Sequence, residues 1–287
     1  MKLKELIEST QDLPTIPSVA IQINEEIKKK SLTAKSLGAI IERDQSLTSK
    51  LLRLANSAYY GLPRQIETPQ KAITILGLDT IQSIAMTLSI FQLFTSDSEP
   101  VIDLEGLWFH SLGTAVAAKE VISITQKESG EKAFICGIIH DIGKILIIHN
   151  LPQQMNEIMT IMGNSDTPIL AAEEEILGYN HPKAGAMLAD FWNFPLDFVK
   201  SIQHHHHPYL PKNKDELNEA ALVNAIYVGN TIAKAISLGK STDQAVGKIR
   251  KETMEFLQIP GQELNTLLAE IKKKFTDFVQ TIHQSTR

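Results

Sequence analysis

Residues Ile135–Asn150 read ICGIIHDIGKILIIHN, an almost unbroken apolar run with His140 and Asp141 side by side at its middle. The apolar spacing predicts one helix from about Glu131 to His149, hydrophobic nearly all round and therefore central to a bundle, with the doublet at its midpoint. An ionisable pair in such surroundings costs free energy unless something compensates it. A metal ion is the candidate. Further imidazoles stand at His110, at His181 and in the run His204, His205, His206, His207, and His and Asp are suitable ligands for a divalent first-row ion. Lys144 follows Asp141 by three residues and His140 by four, so it shares their side of the helix and is a candidate phosphate contact. Gly137 and Gly143 flank the doublet and remove side-chain bulk where a helix or a ligand must come close.

A His-Asp doublet among imidazoles can hold one or two divalent ions, the carboxylate bridging a pair. Such a site lowers the pKa of bound water toward about 7 and clamps a phosphoryl oxygen, which is what phosphoester hydrolysis requires. The competing reading, strongest for His110 taken alone, is a buried histidine satisfied by hydrogen bonding. His149, at the helix end, is read as meeting the terminal carbonyls, and His283, near the end of the chain, is set aside.

Outward from this stretch the spacing is helical nearly everywhere, with no alternating strand pattern and no internal repeat. Pro14 and Pro17 precede a helix through SVAIQINEEIKKK. Thr33, Ser46, Thr68 and Asp79 are expected caps for the next four, and Gly77 ends the helix that Thr68 opens. Asp103 caps a helix through Ile124 that carries His110. A helix opening at Thr167 and Pro168 ends at Gly178. His181 precedes Pro182 and so belongs at a helix entrance, and the helix after Pro195 carries the four histidines at its end. Helices are expected at Asp215 to Leu238, at Gln244 to Phe256 and from Glu263. The polar segment TSDSEP, from Thr95 to Pro100, marks a boundary, giving an N-terminal helical subdomain over 1–99, a helical bundle over 100–240 and C-terminal helices over 241–287. The fold class is all-α, as two packed helical subdomains.

Composition narrows the function classes. The 287 residues are 43% hydrophobic and carry a net charge of −5, enough for a sizeable core and without a general attraction to nucleic acid or anionic lipid. The clusters Lys28 to Lys30 and Lys272 to Lys274 read as solvated helix faces. Cys136 is the single cysteine; its apolar neighbours make it a packing residue, and the absence of a disulfide framework fits a reducing cytoplasm. No signal-peptide core or span of about 20 uncharged apolar residues is present, so no membrane role is expected.

Several segments together resemble the HDOD family, the HD-related output domain of bacterial signal-transduction proteins. They are LPTIPSVA near the start, ERDQSLTSKLLRLANSAYYGLPRQIETPQKAITILGLDTIQSIA, LWFHS at His110, IIHDIGK at His140, and NHPKAGAMLADFWNFP followed by IQHHHHP. The Asn56, Ser57, Tyr60, Gly61 cluster followed by Ile73, Leu76 and Gly77 is the part specific to HDOD rather than to HD domains in general. The resemblance implies an HD-like helical bundle. By motif it also implies candidate metal ligands at His110, His140, Asp141, His181, His205 and His206, with Lys144 as the lysine of the doublet motif, and one or two divalent ions (Fe, Mn, Zn, Ni or Mg). Asn230 departs from the pattern, standing where HD phosphohydrolases place a late aspartate; an amide is the poorer ligand. No GYP motif follows IQHHHHP, the mark of cyclic di-GMP phosphodiesterases.

Two function classes follow. The resemblance implies a noncatalytic regulatory module acting on signalling proteins, with a vestigial or sensing metal pocket. The alternative is a metal-dependent phosphohydrolase acting on a nucleotide or cyclic dinucleotide. No receiver or GGDEF segment accompanies the chain, so its input is expected from a separate molecule. The turn NSAYYG offers Tyr59 and Tyr60 as partner contacts, against the alternative that they pack across the helix-turn junction.

Overall fold

The computed structural model describes residues 3–9, 18–91, 93, 102–125, 128–243 and 245–285. Among them every regular element is helical, with no strand. In chain order the α-helices are α1 (Leu3–Ser9), α2 (Ser18–Lys28), α3 (Ala34–Glu42), α4 (Gln45–Ala55), α5 (Pro69–Leu76), α6 (Leu78–Phe91), α7 (Leu104–Thr125) and α8 (Gly130–Ile139). They continue with α9 (Ile142–Asn150), α10 (Pro152–Asn164), α11 (Ile169–Leu177), α12 (His181–Phe191), α13 (Leu196–His204), α14 (Leu217–Ala235), α15 (Lys251–Phe256) and α16 (Leu264–Ser285). Two compact units result: residues 1–15 with 93–261, and residues 16–92 with 262–287.

The larger unit is built on α7, which packs against α8 and α14, while α12 packs against α9 and α13. Leu107, Trp108, Leu112, Val116 and Val121 of α7 are all fully buried, as befits a helix surrounded by others. Gly143 of α9 meets Gly185 of α12 backbone to backbone: a Cβ on Gly143 would lie 2.0 Å from the His181 carbonyl oxygen and 2.6 Å from the Gly185 nitrogen. At Gly137 a Cβ would lie 2.4 Å from Ala115 Cα, so α8 and α7 approach equally closely. These two contacts bring the doublet up to the helices that carry the other histidines.

The expected single helix over 131–149 is two. Helix α8 ends at Ile139 and α9 begins at Ile142, with Asp141 at φ −98°, ψ 14°, in the sparsely populated bridge region where functional side chains often sit. The doublet therefore occupies a break, not a helix midpoint. Together Gly130–Asn150 form the stretch that is long and apolar enough to cross a membrane, yet 89% of its apolar window is buried inside the protein.

The smaller unit holds α2 to α6 and α16, with α6 contacting α2 and α4, and α16 lying on α4. Thr33 and Thr68 cap α3 and α5 through side-chain oxygens. Asp44, not Ser46, caps α4 by accepting from the Leu47 N–H at 2.9 Å, and Asp79 lies inside the first turn of α6. Asn56 closes α4: its Nδ2 donates to the carbonyls of Leu52 and Ile66, both at 2.8 Å, and its Oδ1 accepts from the Ile66 N–H at 2.7 Å. That single amide ties the end of α4 to Ile66, closing the loop that begins with NSAYYG. Tyr59 sets its ring edge-on against Tyr60 at 4.8 Å and against Phe278 of α16 at 5.0 Å, so Tyr59 packs within its own unit.

Beyond α14 the structure departs from expectation again. Residues 245–250 carry no helix, and α15 covers only Lys251–Phe256; a Tyr227 hydroxyl donating to the Lys248 carbonyl and Arg250 donating to the Pro208 carbonyl tie this run to the rest of the unit. Pro14, Pro17, the segment TSDSEP and Gln244 lie outside the described residues.

Candidate metal centre

The doublet's side chains leave the α8–α9 break toward α7, α12 and the end of α13. Asp141 is the hub. Its Oδ2 lies 3.3 Å from His140 Nε2 and 3.9 Å from His110 Nε2; its Oδ1 lies 3.3 Å from His181 Nε2 and 3.5 Å from His205 Nε2. His206 joins the second group, its Nε2 3.1 Å from His181 Nε2. The donor atoms thus form two clusters, His110–His140–Asp141 and Asp141–His181–His205–His206, sharing the aspartate.

Three imidazoles are oriented by hydrogen bonds on their far nitrogens. His140 Nδ1 donates to the Gly137 carbonyl at 2.8 Å, and His205 Nδ1 to the Ile202 carbonyl at 2.7 Å. His181 Nδ1 faces both Glu173 carboxylate oxygens at 2.9 and 2.8 Å, and Glu173 also accepts the His181 backbone N–H at 2.8 Å. A proton on each Nδ1 leaves each Nε2 lone pair facing inward, the tautomer a metal ligand needs. Among the described residues no hydrogen bond satisfies the Nε2 atoms of His110, His140 and His205 or Oδ1 of Asp141, all buried. Buried acceptors left bare at one point are what a bound cation would satisfy, so the residues present fit a divalent ion. An imidazole-rich set favours a first-row transition ion over Mg.

The electrostatics agree. Burial pushes His110 and His206 well below the ordinary histidine value and His205 down to about 3, leaving neutral ligands. For His181 burial acts downward too, but the Glu173 charge together with hydrogen bonds to Asp141 and Glu173 outweighs it and raises the pKa. Burial opposes ionisation of Asp141, yet the adjacent His140 and the Lys144 ammonium hold it well below the usual carboxylate range. The centre is sealed: His140, His181 and His205 are 0% exposed and Asp141 and Lys144 1%, with His206 the partly exposed member.

Lys144 Nζ donates to Asp141 Oδ2 at 2.7 Å. Asn230 is buried on α14, its Oδ1 without a hydrogen-bond partner. Of the histidine run, His204 sets its ring edge-on to Tyr209 at 5.1 Å and His207 is exposed; neither joins the centre. Two residues escaped the sequence reading. Glu173 sits in AAEEEIL beside the exposed Glu174 and Glu175, and only its place next to the apolar Ala172 hints that it points inward. Lys234, one turn after Asn230, is lowered in pKa by burial and then by Lys144, with Asp141 acting in the opposite sense, so it lies within electrostatic reach of the centre.

An all-helical unit that gathers a His-Asp doublet and imidazoles from neighbouring helices is the arrangement of HD-related domains. Within that class the chain belongs to the HDOD domain family, whose pattern it matches over residues 13–208. The fold is shared with an HDOD domain protein of Geobacter sulfurreducens at TM-score 0.80 and 22% identity, covering 96% of each chain. It is shared also with a protein of Shewanella amazonensis, provisionally named a phosphohydrolase, at TM-score 0.73 and 22% identity, covering 97% of each. An uncharacterized protein of Treponema pallidum is 24% identical over 270 residues, 92% of this chain and 50% of that one. The chain thus spans half the length of this curated relative.

Proposed function

We propose that the chain is a regulatory HDOD module that acts on signalling proteins, and that its buried centre holds a divalent ion without turning over a phosphoester. The observation that carries this is the sealing of the donors. A hydrolase must admit a substrate phosphoryl oxygen to the metal, whereas five of the six candidate ligands and Lys144 are almost wholly inaccessible. The neutral Asn230, where an acid would add charge and a ligand, supports the same reading. When bound, the ion would supply positive charge at Asp141 and the inward Nε2 atoms; the chain's residues hold it, and Glu173 orients His181.

The alternative, a metal-dependent phosphohydrolase acting on a nucleotide or cyclic dinucleotide, draws on the convergence of all six candidate ligands and on the name carried by the Shewanella amazonensis neighbour. Metal analysis of protein purified without an affinity tag, together with an assay on phosphomonoesters and cyclic dinucleotides, separates the two. The expected result is bound metal with no turnover. Turnover that disappears in Asp141→Ala would establish the hydrolase instead.

A further inference from the structure

The centre's two halves differ in charge. On the Oδ1 side stand three imidazoles, and the Glu173 carboxylate lies behind one of them at 2.8 Å from His181 Nδ1. Oδ1 itself has no hydrogen-bond partner. On the Oδ2 side stand two imidazoles only, and the Lys144 ammonium already sits 2.7 Å from that oxygen. Lys144 rises from the first turn of α9 and is 1% exposed, so its ammonium has no path to water that keeps the helix packed. Two divalent ions would therefore share one carboxylate ligand with a buried ammonium bound to it.

We propose that Lys144 is a resident cation of the Oδ2 half, so that the centre takes one divalent ion through Asp141 Oδ1, His181, His205 and His206 and excludes a second from His110 and His140. The asymmetry follows from Coulomb's law in a water-poor interior: like charges a few ångströms apart repel there far more strongly than in water, while the Glu173 carboxylate draws the ion to the other half. His110 and His140 then serve as neutral neighbours of the Lys144–Asp141 pair. The inference rests on the reading above that the centre holds a metal at all.

The test counts ions in the full-length chain. Metal-stripped protein is titrated with Mn(II), bound ions are counted by mass spectrometry under native conditions, and electron paramagnetic resonance distinguishes an isolated ion from a coupled pair. The unaltered chain is expected to bind one ion with the spectrum of isolated Mn(II). Lys144→Met, which keeps the stem and removes the charge, is expected to raise affinity for a second ion by about tenfold or more and to give a coupled spectrum. Lys144→Gln serves the same purpose if the methionine variant does not fold. Two ions of similar affinity in the unaltered chain would overturn this proposal alone, as would a folded Lys144 variant that still stops at one. Absence of any bound ion would overturn both this proposal and the reading of a metal centre.

Discussion

Glu173 shows how much one side chain can organise. It accepts from both the backbone and the ring of His181 and so fixes which nitrogen faces Asp141. Glu173→Ala should lower Mn(II) or Zn(II) affinity about 10–100-fold, the usual cost of losing a carboxylate behind a ligating imidazole; calorimetric titration reads it, and an unchanged affinity would remove Glu173 from the centre. The histidines also set an acid limit. His205, lowered to about 3 from 6.5, and His110 and His206, lowered likewise, leave stability intact above 6.5. As pH falls below that value the unfolded chain takes up protons that the folded chain refuses. His181 has the opposite sign, since its raised pKa favours the fold at low pH and loses that contribution as pH rises through it. With His204 also lowered by its partial burial, four lowered histidines against one raised make the metal-free protein weaker on the acid side, by up to about 1.4 kcal/mol per pH unit for each buried histidine in excess. A urea midpoint at about pH 5 equal to that at about pH 7 would contradict this sign.

At the scale of elements, the contact of α9 with α12 through Gly143 and Gly185 leaves no room for a methyl group. Gly143→Ala must push His181 away from the doublet, and a destabilisation of about 1–3 kcal/mol or more is expected, read by denaturant titration together with weaker metal binding. Asn56→Ala releases three hydrogen bonds at the end of α4 and should cost about 1–3 kcal/mol, with faster amide exchange confined to the turn after α4. Elements such as α3, α5 and α11 were legible because their ends carry local chemistry: Thr33, Thr68, and Gly178 in the left-handed region at φ 75°. The break at His140 was not, because the apolar spacing runs on across it, while Gly137 and Gly143 let the neighbouring helices come close on either side. Nor was the run over 245–250: its periodicity is helical, while hydrogen bonds from Tyr227 and Arg250 tie it to the rest of the unit. In the same way, His110, His140 and His181 stood out as residue types, but the choice of Glu173 over Glu174 depends on which face of α11 turns inward.

At the scale of the molecule, the smaller unit is assembled from distant parts of the chain. Phe278 of α16 is fully buried and meets Tyr59, so Phe278→Ala should cost that unit about 3–5 kcal/mol. Hydrogen exchange should accelerate in α4 and α16 and leave α7 and α14 unchanged; uniform acceleration would contradict two separately stabilised units. The order of synthesis gives this arrangement a temporal consequence. Every residue of the larger unit has been made once Gly261 is added, whereas helices α2 to α6 must wait, with the face meant for α16 uncovered, until α16 leaves the ribosome. A bundle begun at α2 is completed only at α16, and during that interval its exposed apolar surface calls for protection by a chaperone.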